Sequence, residues 1–228
     1  MTRLINRTSA GKALFPLVSQ ALQTEFDRVP PGVVMALPRG GIKVAAPIAV
    51  GLGWPLTLCL VRKLGVPQQP ELAFGAISQR STTQCAAPDI KVVHPALVRQ
   101  LQLTEQQQAQ VIATEQAELE RRLRCYNPPP LPQPLNNYVV LLVDDGIATG
   151  ATMEAAIACV QAQDPRQLWV AVPVASPDTV EYFEEIVDRI ICPNQPDHLQ
   201  AIGYWYDDFR QVSDQEVIDC LQWFASLT

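Results

Sequence analysis

The segment Val139-Val-Leu-Leu-Val-Asp144-Asp145-Gly146-Ile147-Ala148-Thr149-Gly150-Ala151-Thr152 constrains this chain more than any other. Five consecutive apolar residues leave no polar face, so Val139–Val143 predicts a strand covered on both sides, as in the centre of a parallel sheet. Two carboxylates end it. A turn with two glycines and two threonines follows, and helical periodicity resumes over Ala151–Ala162. The N–H groups of a helix's first turn lack partners and carry partial positive charge, which suits a phosphate. Gly146 and Gly150 allow close backbone approach, and Thr149 and Thr152 add hydroxyl donors. Carboxylates beside a phosphate cradle would repel the phosphate itself, but they accept strong hydrogen bonds from a neutral polyol. The segment therefore reads as a grip for a ribose 5-phosphate. It has neither the lysine of a Walker A loop nor the Gly-x-Gly-x-x-Gly of a dinucleotide fold.

The rest of the chain supplies the frame. Gly32–Leu37 reads as a strand, Pro38-Arg39-Gly40-Gly41 as a turn, Lys43–Gly51 as a helix and Leu56–Val61 as a second strand ending in Arg62-Lys63. Strand, glycine turn, helix, strand is the signature of a βαβ unit. Further strands are predicted at Leu168–Val174 and Val187–Cys192, with a helix started by Ser176-Pro177 and another by the capping box Ser213-Asp-Gln-Glu216. The fold class is α/β, a mostly parallel central sheet flanked by helices. In an open sheet of this kind ligands gather at the C-terminal ends of the strands. Arg39, Arg62 and Lys63 are predicted to lie there, three cations on a rim suited to a polyanion.

Around this frame the 228 residues read as one domain with several excursions. Residues 64–90, with scattered glycine and proline and a possible strand at Leu72–Ile77, read as a mobile loop, of which Leu64–Gln84 is the candidate lid. Residues 95–126 are a helical insertion, of which Thr104 and Gln107 cap a long charged helix that is either solvated or a homodimer contact. Residues 127–134 form a proline-rich linker, and 193–228 a hood and terminal helix. Near the N-terminus, Ala10, Leu14, Leu17, Ala21 and Leu22 predict a helix from about Thr8 to Phe26, kinked or delayed by Pro16. Arg3, Arg7 and Lys12 precede the first acid, a faint transit-peptide pattern that we read instead as part of an amphipathic helix.

Composition excludes several classes. A net charge of −6 argues against a nucleic-acid-binding face. No apolar run approaches the ~18 residues of a membrane helix. The six cysteines are widely spaced without a CxxC pair, and His94 and His198 are far apart, so neither a zinc site nor a redox motif is indicated. Reduced thiols in the cytoplasm are the expectation.

Val139–Thr152 resembles the 5-phosphoribosyl-1-pyrophosphate (PRPP) motif of type I phosphoribosyltransferases, and the arrangement Pro-Arg-Gly-Gly, Val-Arg-Lys-Leu-Gly, Pro-Glu-Leu-Ala-Phe-Gly-Ala-Ile, long helix, Asp-Asp turn is similar to a bacterial group of that family with unsettled substrate. The resemblance implies that Asp144 and Asp145 hold the ribose hydroxyls. Gly146, Ile147, Ala148, Thr149, Gly150, Ala151 and Thr152 would hold the 5-phosphate. Arg39, Gly40 and Gly41 resemble the pyrophosphate loop, often bearing a non-proline cis peptide, and Arg62-Lys63 resembles the Arg-Lys pair of adenine-type members. Gly203–Phe209 is similar to the hood of purine-type members, which makes Trp205 or Tyr206 the base-stacking group. The implied reaction is Mg²⁺-dependent transfer of the phosphoribosyl group to a nucleobase or other nitrogen acceptor, with Mg²⁺ held mainly by substrate. Asp144, Asp145, Arg62 and Lys63 are the implied catalytic set. Ala148 stands where 6-oxopurine members carry a carboxylate. A PRPP-binding regulator without turnover is the alternative. A hydrolase using Asp144 as nucleophile lacks a lysine and a general acid in place.

Overall fold

The computed structural model describes residues 3–67, 69–78, 90–130 and 134–227. Its centre is a five-stranded parallel sheet in the order β2-β1-β6-β7-β8, formed by β1 (Gly32–Ala36), β2 (Leu56–Leu58), β6 (Val139–Val143), β7 (Gln167–Ala171) and β8 (Arg189–Ile191). β6 is the middle strand, and all five of its residues are inaccessible to solvent. Alternation along it divides the core. Val139, Leu141 and Val143 face the layer of α1 (Arg7–Glu25), α2 (Gly41–Leu52) and α7 (Asp214–Ala225). Val140 and Leu142 face α5 (Ala151–Gln161) and α6 (Pro177–Glu184). A strand buried on both faces has no polar face to show, which is why its sequence carries no alternation.

The register aligns the functional rim. Val143 pairs with Ala36 on one side and Ala171 on the other, so β1, β6 and β7 end level. The Leu37 amide donates to the Val143 carbonyl at 2.9 Å, carrying the pairing one step into the loop that begins at Pro38. That loop contains a cis Pro38–Arg39 peptide, the non-proline feature the family resemblance implies.

Three expectations change. α1 begins at Arg7, capped reciprocally by Asn6 and Ser9, and runs through Pro16 to Glu25. Proline forfeits one backbone bond, but Leu14, Val18 and Leu22 are buried in the core, and that burial holds the helix together across the break. The apolar run Leu56–Val61 is two strands, not one: β2 stops at Leu58, and β3 (Val61–Val66) belongs to a second sheet. Arg62-Lys63 therefore sits inside β3 rather than at the end of a central strand. Finally, part of the predicted lid is regular structure. β3, β4 (Gln69–Ser78) and β5 (Ile90–Val93) form an antiparallel sheet against α5, and residues 79–89 lie outside those described.

The insertion comprises α3 (Pro95–Gln100) and α4 (Glu105–Tyr126). The capping box of Thr104 and Gln107 is formed. Only Leu119 and Tyr126 of α4 are buried, and Glu118 pairs with Arg121 and Arg122 along the helix's own surface. Tyr126 anchors the far end by donating its hydroxyl to Asp214 at 2.6 Å, and burial together with this bond pushes the phenol up to about 12.

Candidate functional site

The site begins where β6 ends. Asp144 accepts the Asp145 amide at 2.8 Å through Oδ1, a geometry that turns its carboxylate back over the strand end. Burial, with the neighbouring Asp145 charge, pushes the Asp144 carboxyl well above the usual range, while the Asp145 amide and the Arg7 charge pull it down. The chain then passes Ile147, whose amide donates to Val174 at 2.9 Å, and reaches Gly150 in the left-handed region with φ of 78°. Glycine alone adopts that conformation without strain. Gly150 is also the N-cap of α5 and offers no side-chain acceptor to the first-turn amides. Those amides lie just beyond the carboxylates in the chain, beside exposed Thr149 and Thr152, and an uncapped helix N-terminus of this kind suits an anion.

The loop after β1 lies directly against the acid pair. A Cβ built on Gly40 would stand 1.9 Å from Asp145 Oδ2, and one on Gly41 would stand 2.6 Å from the Val143 carbonyl. Gly40 has an ordinary helical backbone, φ −62°, so its lack of a side chain is a matter of space and not of conformation. Arg39 reaches the loop's outer side and faces Asp214 at 3.6 Å.

Arg62 and Lys63 are brought to this rim by the second sheet. They line a cavity of about 670 Å³ together with Pro38, Thr152 and, from α4, Gln110 and Glu115. Arg62 donates to Glu115 at 2.6 Å. The inner face of α4 is thus a wall of this cavity, which reaches Thr152 but not the two acids, a role its charge pattern did not reveal.

The hood arrives from both ends of the chain. Leu4 and Tyr206 form a parallel bridge, with the Leu4 amide on the Trp205 carbonyl and the Asp207 amide on the Leu4 carbonyl, both at 2.8 Å. Tyr206 is 1% exposed, and its hydroxyl donates to the Asp145 carbonyl at 2.7 Å. A ring packed that deeply offers no face to a ligand, which removes Tyr206 from the base-stacking pair and leaves the half-buried Trp205.

One residue escaped the sequence reading. Arg7 donates through Nε to Asp145 Oδ2 at 2.6 Å across 138 residues of chain. A signal existed. Arg7 is the first residue of α1, where the helix dipole disfavours a cation, so a cation there requires another partner.

Comparison with known proteins identifies the domain. Residues 10–208 match the family model described as phosphoribosyl transferase domain. Two proteins, from Mycobacterium tuberculosis strains CDC 1551 and H37Rv, both named "Putative phosphoribosyl transferase", are 38% identical over 186 residues. That match covers 82% of this chain and 40% of theirs, so the chain spans well under half the length of these curated relatives. The crystal structure of TT1426 from Thermus thermophilus superposes with a TM-score of 0.79 at 34% identity, covering 98% of this chain and 99% of that one. The family model over most of the chain, the 38% identical relatives and the solved structure that superposes over nearly its whole length show that the chain belongs to the type I phosphoribosyltransferase family.

Proposed function

We propose that this protein binds PRPP across the ends of β1 and β6 and transfers its phosphoribosyl group to a nitrogen acceptor, a nucleobase, releasing pyrophosphate. One observation carries the reading. Asp144 and Asp145 stand between an open helix N-terminus and a glycine loop that touches Asp145. Ribose, 5-phosphate and pyrophosphate need three such surfaces side by side. The 5-phosphate goes to Gly146–Thr152, the ribose hydroxyls to Asp144 and Asp145, and the pyrophosphate to Arg39, Gly40 and Gly41 with Arg62 and Lys63.

In the reaction the acceptor nitrogen forms a bond to C1 as the C1–O bond to pyrophosphate breaks, that bond's electron pair leaves with pyrophosphate, and the base's N–H proton passes to solvent. Positive charge develops on the ribose ring, where the carboxylates stabilise it, and the departing pyrophosphate is met by the rim cations. Mg²⁺ fits the donor set, because an acid pair with one member matched to Arg7 keeps net negative charge beside a hydrated cation. The ion would sit mainly on substrate oxygens, and when bound it would neutralise charge on the leaving group. Trp205 is the group available to stack on the base, and exposed Ala148 cannot take a proton from it. That favours acceptors of the adenine or uracil kind over 6-oxopurines. The cytoplasm is the proposed compartment.

Calorimetric titration of PRPP with and without Mg²⁺, followed by pyrophosphate release over a nucleobase panel, tests this. Mg²⁺-dependent binding and release with one base are expected. Binding without release under every base would favour a regulator, and no binding would sink both readings.

A further inference from the structure

Asp144 and Asp145 are adjacent in sequence but differ in their surroundings. Asp144 is held by one backbone amide. Asp145 is clamped at both ends, its carbonyl by the Tyr206 hydroxyl and its carboxylate by Arg7. Arg7 is itself fixed on three sides. Its Nη1 donates to the Arg210 carbonyl at 2.9 Å, and its guanidinium lies 3.8 Å from the centroid of the Phe209 ring. A Cβ on Gly40 would come within 2.9 Å of its Nε. The residue is 9% exposed.

An ion pair so placed is not explained by stability alone. Removing two charges from water costs about what their attraction returns, and an apolar pair of similar volume would serve as well. Arg7 also forgoes favourable placement by starting a helix. The pair connects α1, the acid turn, the hood and the glycine loop, and of these the acid turn carries the ribose-binding groups.

We infer that Arg7 is a positioning residue for PRPP recognition: by taking Asp145 Oδ2 it fixes the carboxylate so that Oδ1 meets a ribose hydroxyl, and it cancels one of two adjacent negative charges facing a polyanionic ligand. The inference rests on the PRPP reading. Its physical basis is geometric. A carboxylate free to rotate presents either oxygen, whereas one held by a planar donor, itself stacked on an aromatic ring, presents one in a fixed direction. Charge follows the same logic. PRPP brings phosphate and pyrophosphate to the site, and an unmatched pair of carboxylates would repel them at contact distance. The groups facing Arg7 are Asp145, the Tyr206 hydroxyl, the Arg210 carbonyl and the Phe209 ring, with Asp144 next beyond and Lys43, Asp208, Arg210 and Glu216 lining the same small cavity.

The test uses the full chain with Mg²⁺, comparing wild type with Arg7→Met and Arg7→Lys. PRPP affinity is measured by calorimetry from pH 5 to 8 at a temperature where melting curves show each variant folded. Arg7→Met should weaken PRPP binding at least tenfold at pH 7. It should also move the acid limb of affinity to higher pH, because the Arg7 charge no longer pulls the Asp144 carboxyl down. Arg7→Lys keeps the charge without the planar fork and should recover the acid limb while remaining several-fold weaker than wild type. If Arg7→Met fails to fold, Arg7→Lys decides by the same two readouts. A folded variant that binds PRPP within twofold of wild type overturns the inference and leaves the PRPP reading intact. A loss of affinity equal at every pH also overturns it, since a loosened hood would act that way. Wild type that binds no PRPP overturns both.

Discussion

Replacing the two acids one at a time should move the melting temperature in opposite directions. Asp145→Asn removes the charge partner of Arg7, whose guanidinium stays buried beside Phe209. Stripping one member from a buried pair typically costs about 3–5 kcal/mol. Two features soften it here. The asparagine oxygen can still accept from Arg7, and losing the Asp145 charge relieves Asp144. A cost of about 2–3 kcal/mol follows, closer to that of a lost charge-assisted hydrogen bond. For a chain of this size ~1 kcal/mol shifts the midpoint by roughly 2–4 °C, so a fall of about 4–12 °C is expected. Asp144→Asn does the reverse. The native carboxyl is raised above its unfolded value by burial and by Asp145, so the folded state binds the proton more readily. Stability therefore falls as pH rises from about 3.9, the unfolded value, through the raised native one. At pH 7 the asparagine variant should melt above wild type, and the gap should close as pH approaches 4. Scanning calorimetry at pH 7 and pH 4.5 measures both effects. Equal shifts of the same sign at pH 7 would refute the claim that Arg7 stabilises one acid while burial strains the other. Both variants should lose PRPP affinity, because the ionised carboxylates are the ones that bind ribose.

Two further predictions concern the walls of the site. Gly40→Ala places a Cβ 1.9 Å from Asp145 Oδ2 where about 3.4 Å is needed, so the Arg7–Asp145 pair must retreat by well over an ångström; PRPP affinity should fall at least tenfold in calorimetry, and an unchanged affinity would mean the loop moves away freely. Glu115→Gln removes the charge that holds Arg62 against α4 at 2.6 Å, so pyrophosphate should bind several-fold tighter; weaker binding would show that Glu115 orients Arg62 for the ligand.

The carboxylates, the glycine turn and the parallel centre were readable because each is local. Val139–Val143 declares a central strand by having no polar face, and Asp144–Thr152 declares a ligand by combining acids, glycines and hydroxyls within one turn. Capping boxes at Thr104 and Ser213 are four-residue signals and formed as read. Leu56–Val61 misled because an apolar run satisfies a central strand and the entry to a second sheet equally, and no local residue marks the crossing at Cys59-Leu60. Tyr206 and Trp205 were inseparable for a similar reason. Neighbouring aromatics differ in which one faces the core, and that depends on Leu4 and Asp145, at the far end of the chain and 61 residues away. Arg7 shows the limit most clearly. Its sequence neighbours say helix start, and its partner lies 138 residues downstream. The sequence alone determined that an acid pair and a glycine turn into a helix share the end of a buried strand, since backbone rules act over a few residues. Only the tertiary structure decided which acid is matched, by which cation, and through which oxygen, because electrostatic pairing depends on distance in space.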